Sequence, residues 1–122
     1  RWEGATATLK ADPRLRPGVG DAAYARAFAR IECHYFHHAG FLDEDGQILR
    51  DIGGLKNTPG VIVQGRYDMV CPPASAFALH RAWPSSSLRV IGDAGHALSE
   101  PGITAELVAV TDMFRESRRA AQ

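Results

Sequence analysis

Tyr24, Phe28, Glu32 and Phe36 recur at four-residue steps through an alanine-rich stretch, which puts them on one face of a helix predicted over 21–38. Asp21 is its expected N-cap and Gly40 its expected stop. Ahead of it, Pro13, Pro17, Gly18 and Gly20 punctuate a short charged stretch, so 1–22 reads as a loop following a piece of helix. Beyond it, the acidic turn Asp43-Glu44-Asp45-Gly46 leads into a short helix over 47–55 that ends near Gly53-Gly54.

The pattern then changes from helical spacing to a short continuous apolar run. After Pro59-Gly60, Val61-Ile62-Val63-Gln64 is β-branched and apolar, as expected for a strand buried on both faces of a parallel sheet, and Gly65 ends it. Pro72-Pro73 suits a first helical turn and not a strand, so 74–83 is predicted to be a crossover helix. A second strand over 87–91, a loop over 92–96 and a last amphipathic helix over 103–118 follow. Leu107, Val108, Val110 and Phe114 are its expected core side. Strand, helix, strand, helix implies an α/β architecture with parallel strands joined by a crossover. No internal repeat or low-complexity tract interrupts this order.

The 122 residues are 45% hydrophobic and 23% charged, a balance that suits one modest globular domain and argues against disorder. Fourteen basic residues offset fourteen acidic ones, so the chain lacks the charge excess needed to hold a nucleic acid or an anionic membrane surface. No apolar run is long enough to cross a bilayer. Cys33 and Cys71 sit in unrelated contexts, which fits reduced thiols and a cytoplasmic setting better than a disulfide framework. The start at Arg1-Trp2-Glu3-Gly4, with no initiator Met, reads as a piece beginning in mid-sequence.

In an open α/β sheet, functional groups collect on loops beyond the carboxyl ends of the strands. The first end carries Gly65-Arg66-Tyr67-Asp68 and the second Asp93-Ala94-Gly95-His96, so an acid and a histidine are offered from neighbouring ends. A carboxylate that accepts one imidazole N–H fixes the tautomer and supports the imidazolium formed at the other nitrogen, as acyl-transfer enzymes require. Read alone, Asp68 can equally cap the helix that follows it, and a lone histidine is more often a satisfied loop residue. Cys71 is either a thiol beside this site or a small buried filler. His34, His37 and His38 have metal-like spacings, but no matching acid or cysteine set recurs, so surface histidines are the better reading and no metal or cofactor is expected.

The block from Val61 to Asp68 with Cys71-Pro72, the triplet Ala94-Gly95-His96, the helix block Ile31-Glu32-Cys33-His34-Tyr35-Phe36 and Trp83-Pro84 together resemble the proline iminopeptidases of the α/β-hydrolase superfamily. The resemblance can be followed from Trp2 to Phe114; the acid and histidine blocks are shared with other α/β-hydrolases, whereas the helix block is more specific. It implies the C-terminal part of an α/β-hydrolase core over 56–122, preceded over 1–55 by the end of a helical cap. It implies Asp68 as triad acid and His96 as general base of a serine peptidase that releases N-terminal proline from peptides. In this family two cap glutamates bind the substrate amino group beside aromatics; Glu32 matches one, Glu3 falls at the place of the other, and Phe36 matches a pocket aromatic. The family has a serine after the motif histidine where this chain has Ala97.

The cap helix gives this a physical basis, since Phe28, Glu32 and Phe36 share a face that sets a carboxylate between two aromatic rings. A prolyl N-terminus is a secondary ammonium on an apolar ring and can pair with such a face, with cation–π attraction adding on the order of 1 kcal/mol. From periodicity alone, Glu32 reads as solvated and the two phenylalanines as core.

No Gly-x-Ser-x-Gly elbow occurs, so the nucleophile is expected outside this sequence and the isolated piece is expected to be inactive. Another cap-bearing hydrolase, an esterase or epoxide hydrolase, and a binding module without catalysis are the alternative readings. A sheet lacking most of its strands leaves an open edge, so self-association or pairing with the missing N-terminal part is expected.

Overall fold

The computed structural model describes residues 6–9 and 22–120. The expected Asp21 cap and most of the expected loop over 1–22 lie outside the described residues, as do Trp2 and Glu3. Helix α1 is Ala22–His37, α2 Gln47–Asp51, β1 Gly60–Gly65, α3 Pro73–Ala82, β2 Ser86–Ile91 and α4 Pro101–Ala120. Short 3-10 turns occupy Ala39–Phe41 and Ile52–Leu55. The alternation of strand and helix from Gly60 onward follows the periodicities in the chain, to within a residue or two at most ends.

The strands β1 and β2 run parallel and in register, from Gly60 beside Ser86 to Gly65 beside Ile91. Val61–Gln64 are half-buried and not enclosed on both faces, because the sheet has two strands among the described residues. Helices α3 and α4 pack on it, with Ala76, Ile103 and Val110 among the buried apolar side chains. Arg89 of β2 pairs with Glu106 and ties α4 to the second strand. The core side of α4 runs through Ile103 and Val110; Val108 is 54% exposed. At 100° per residue Val108 stands well away from the Ile103–Val110 line, so the expected core face was too wide.

Trp83 closes the base of the sheet. Its indole N–H donates to the Leu55 and Thr58 carbonyls at 2.9 and 3.0 Å, and a β-carbon on Gly60 would stand 2.2 Å from its ring. Only glycine at position 60 lets the ring lie there, which anchors the approach to β1.

Helix α1 carries no buried residue. Tyr24 and Phe28 stack along its surface with centroids 6.0 Å apart. Its C-terminal end turns through Ala39, Gly40 and Phe41, all with positive φ of 50 to 64°. Left-handed backbone is costly for alanine and phenylalanine. Ring contacts offset this, since Phe41 stacks on His38 at 5.1 Å and meets Tyr35 at 5.4 Å and His34 at 5.5 Å. His34 and His38 thus belong to an aromatic cluster.

Candidate active site

Parallel pairing in register brings the carboxyl ends of β1 and β2 side by side, so the loops after Gly65 and Ile91 begin as neighbours. Backbone bonds keep them together: Arg66 N–H donates to the Ile91 carbonyl at 2.9 Å and Tyr67 N–H to the Ala94 carbonyl at 3.0 Å. Three residues beyond Gly65 stands Asp68; five beyond Ile91 stands His96.

Their side chains meet, with Asp68 Oδ2 3.0 Å from His96 Nδ1. The two carboxylate oxygens divide their work. Oδ1 accepts the Cys71 and Val70 amides at 2.7 and 2.9 Å, which closes the turn 68–71, while Oδ2 faces the imidazole and takes a second bond from the Gln64 side-chain amide at 3.3 Å. Asp68 therefore caps its own turn and holds a histidine at once. It does not cap α3, whose N-cap is Pro72. Gln64 also donates to the Gly65 and Cys71 carbonyls at 3.2 Å each, so the end of β1 and the turn brace the acid from behind.

Asp68 is 7% exposed. Burial pushes its carboxyl pKa up, but the Cys71 N–H, the His96 ring and the Val70 N–H together pull harder the other way. The net value lies below the ordinary 3.8, so the group is a carboxylate at neutral pH. An ionised acceptor at Nδ1 keeps the proton on that nitrogen and leaves Nε2 with its lone pair. With the His96 side chain 40% exposed, the ring is open to an incoming group while its other edge is held. Such a pair can take a proton from a nucleophile at Nε2 and return it to a leaving group.

The other residues singled out from sequence stand elsewhere. Glu32 is half-buried on α1 and Phe36, on the same helix, is 78% exposed. Glu3 lies outside the described residues. Cys71 is an exposed free thiol, not a buried filler; its backbone N–H, and not its sulfur, reaches Asp68. One buried group escaped the sequence reading: Glu100, 5% exposed, whose Oε1 accepts the Gly95 N–H at 2.7 Å immediately before His96. A glutamate directly before Pro101 at the start of a helix was the available signal.

No protein-family model matches the chain. Among curated proteins it is 49% identical to a proline iminopeptidase of Xanthomonas citri over 93% of its length, and 51% identical, again over 93%, to a protein of Leptolyngbya boryana described as a probable proline iminopeptidase. To the proline iminopeptidase of Arabidopsis thaliana it is 42% identical over 94% of its length. This chain is related to the proline iminopeptidases. It spans about a third of their length: 36%, 35% and 30% of the three. Because the matched span takes in 93–94% of the chain, the likeness is not confined to the Asp68 and His96 loops.

Proposed function

We propose that the complete polypeptide is a serine aminopeptidase that releases N-terminal proline from peptides, with Asp68 orienting His96 and His96 acting as general base. The observation that carries this is the 3.0 Å contact between a buried carboxylate and an accessible imidazole on adjacent strand ends, in a chain related to proline iminopeptidases. The parallel strands and packed helices fit the C-terminal part of an α/β-hydrolase core over 56–122, with 1–55 as the end of a helical cap. The nucleophilic serine comes from residues outside this sequence, and no cofactor takes part. The reaction is acyl transfer: the serine hydroxyl gives its proton to His96 Nε2 and attacks the prolyl carbonyl. The protonated ring then donates to the departing amine, and water releases proline by the same path reversed.

On the cap, Glu32 with Glu3 pairs with the prolyl ammonium and Phe36 packs on its ring. The exposed apolar residues of α1, Ile31 at 61% and Phe36 at 78%, are covered by the rest of the polypeptide. Two free thiols suit a cytoplasmic enzyme. No helix among the described residues is long and apolar enough to cross a membrane.

Turnover of an L-prolyl arylamide by the complete polypeptide, compared with simple esters and an aryl epoxide, tests the reading. Preference for the prolyl arylamide supports it. Hydrolysis of esters or epoxides alone would move the chain to a different cap-bearing hydrolase, and no turnover of any of them would favour a binding module.

A further inference from the structure

Carboxylates are seldom fully buried unless their oxygens are well partnered, and Glu100 is 5% exposed. Its Oε1 accepts two backbone amides, Gly95 N–H at 2.7 Å and Leu9 N–H at 3.2 Å. The next two amides of the loop are held as well, because His96 N–H and Ala97 N–H both donate to the Ala7 carbonyl, at 2.9 and 2.7 Å. Three successive N–H groups centred on His96 are thus tied to two acceptors, one of them a charge. Gly95 packs closely on both, since a β-carbon there would stand 3.0 Å from Oε1 and 3.1 Å from the Leu9 nitrogen.

Glu100 is itself fixed. Its N–H donates to the Ala97 carbonyl at 3.0 Å, and its carbonyl accepts the Thr104 amide at 2.9 Å, the first bond of α4. Helix α4 lies against β1, the strand whose end carries Asp68. The chain of contacts therefore runs from β1 through α4 and Glu100 to the Gly95 amide just before His96, and refers both members of the acid–histidine pair to the same strand.

We propose that Glu100 is a positioning residue: its carboxylate holds the Gly95 amide so that the His96 ring meets Asp68 in the Nδ1–H tautomer. This rests on the reading of Asp68 and His96 as the acid–base pair, and its test separates the two. The complete polypeptide is compared with Glu100→Gln, which keeps the Oε1 acceptor, and Glu100→Ala, which removes it. Steady-state kinetics use an L-prolyl arylamide, and ring ¹⁵N shifts of His96, assigned through His96→Ala, report the tautomer.

Glu100→Ala is expected to lower kcat by about 10- to 100-fold with KM within about threefold, and to give mixed His96 tautomers; Glu100→Gln should retain kcat within about threefold and the Nδ1–H form. Unchanged kcat and tautomer in Glu100→Ala, or equal damage from Gln and Ala, would overturn the proposal. If the alanine variant does not fold, Glu100→Asp decides: its shorter side chain withdraws the acceptor, so a folded variant with wild-type kcat and tautomer would be equally fatal. Should the wild type not turn over the prolyl substrate, the functional reading fails, and the ring shifts alone decide the role of Glu100.

Discussion

Gly65 and Gly95 meet backbone to backbone: a β-carbon on Gly65 would stand 1.9 Å from the Gly95 carbonyl oxygen and 2.8 Å from that of Ala94. The end of β1 and the loop carrying His96 touch with no side chain between them. That closeness is what allows a side chain as short as aspartate, three residues past Gly65, to reach the imidazole.

Gly65→Ala is therefore expected to force the two loops apart. A loss of at least about 2 kcal/mol is expected from overpacking, together with a fall in turnover of about 100-fold or more from misplacement of His96. Denaturant melts and steady-state kinetics on the complete polypeptide check both.

Asp68 makes stability depend on pH in one direction. Its folded-state pKa lies below the ordinary 3.8, so its ionisation stabilises the fold fully above 3.8, and this contribution is lost as pH falls through the lower folded value. Asp68→Asn should cost roughly 1–3 kcal/mol at neutral pH, as expected for charge-assisted bonds, and the deficit should shrink as acid is added below 3.8. Paired melts of wild type and variant across that range would show it, and a deficit independent of pH would argue against it.

Trp83→Phe keeps a ring over Gly60 but removes the N–H shared by Leu55 and Thr58. About 1 kcal/mol of destabilisation is expected, with the denaturant midpoint lowered and the slope unchanged. Because Trp83 lies at the other end of the strands from His96, turnover of the folded variant should stay within about twofold of wild type.

Substrate recognition by the cap is tested by Glu32→Gln. With an ammonium partner neutralised, KM for a prolyl arylamide should rise by about 10-fold or more, while the ring tautomer of His96 stays as in wild type. An unchanged KM would place the ammonium site elsewhere.

The parallel pair was legible because Val61–Gln64 is a short β-branched apolar run and Ser87–Ile91 a short strand-like stretch, separated by a helix that Pro72-Pro73 announces. Asp68 and His96 could be paired in advance for the same reason, since each follows a strand end. Glu100 could not: its role depends on Leu9 folding back across 91 residues, and no local pattern reports such a contact. The width of the α4 core face was misjudged at Val108 because hydrophobicity alone does not tell which apolar residues of a helix a two-strand sheet can cover. Phe28 and Phe36 could be assigned to one face from their spacing, yet the spacing does not say what covers that face.

The most direct measurement is kcat of the complete polypeptide on an L-prolyl arylamide before and after His96→Ala, with the melting temperature taken alongside. The account predicts a drop of about 1,000-fold or more in a variant that still unfolds cooperatively, its melting temperature lowered only by loss of the bond to Asp68, because Nε2 is the atom that takes up the nucleophile's proton. A folded His96→Ala enzyme that keeps kcat within a few-fold of wild type would contradict the assignment of Asp68 and His96 as the acid–base pair.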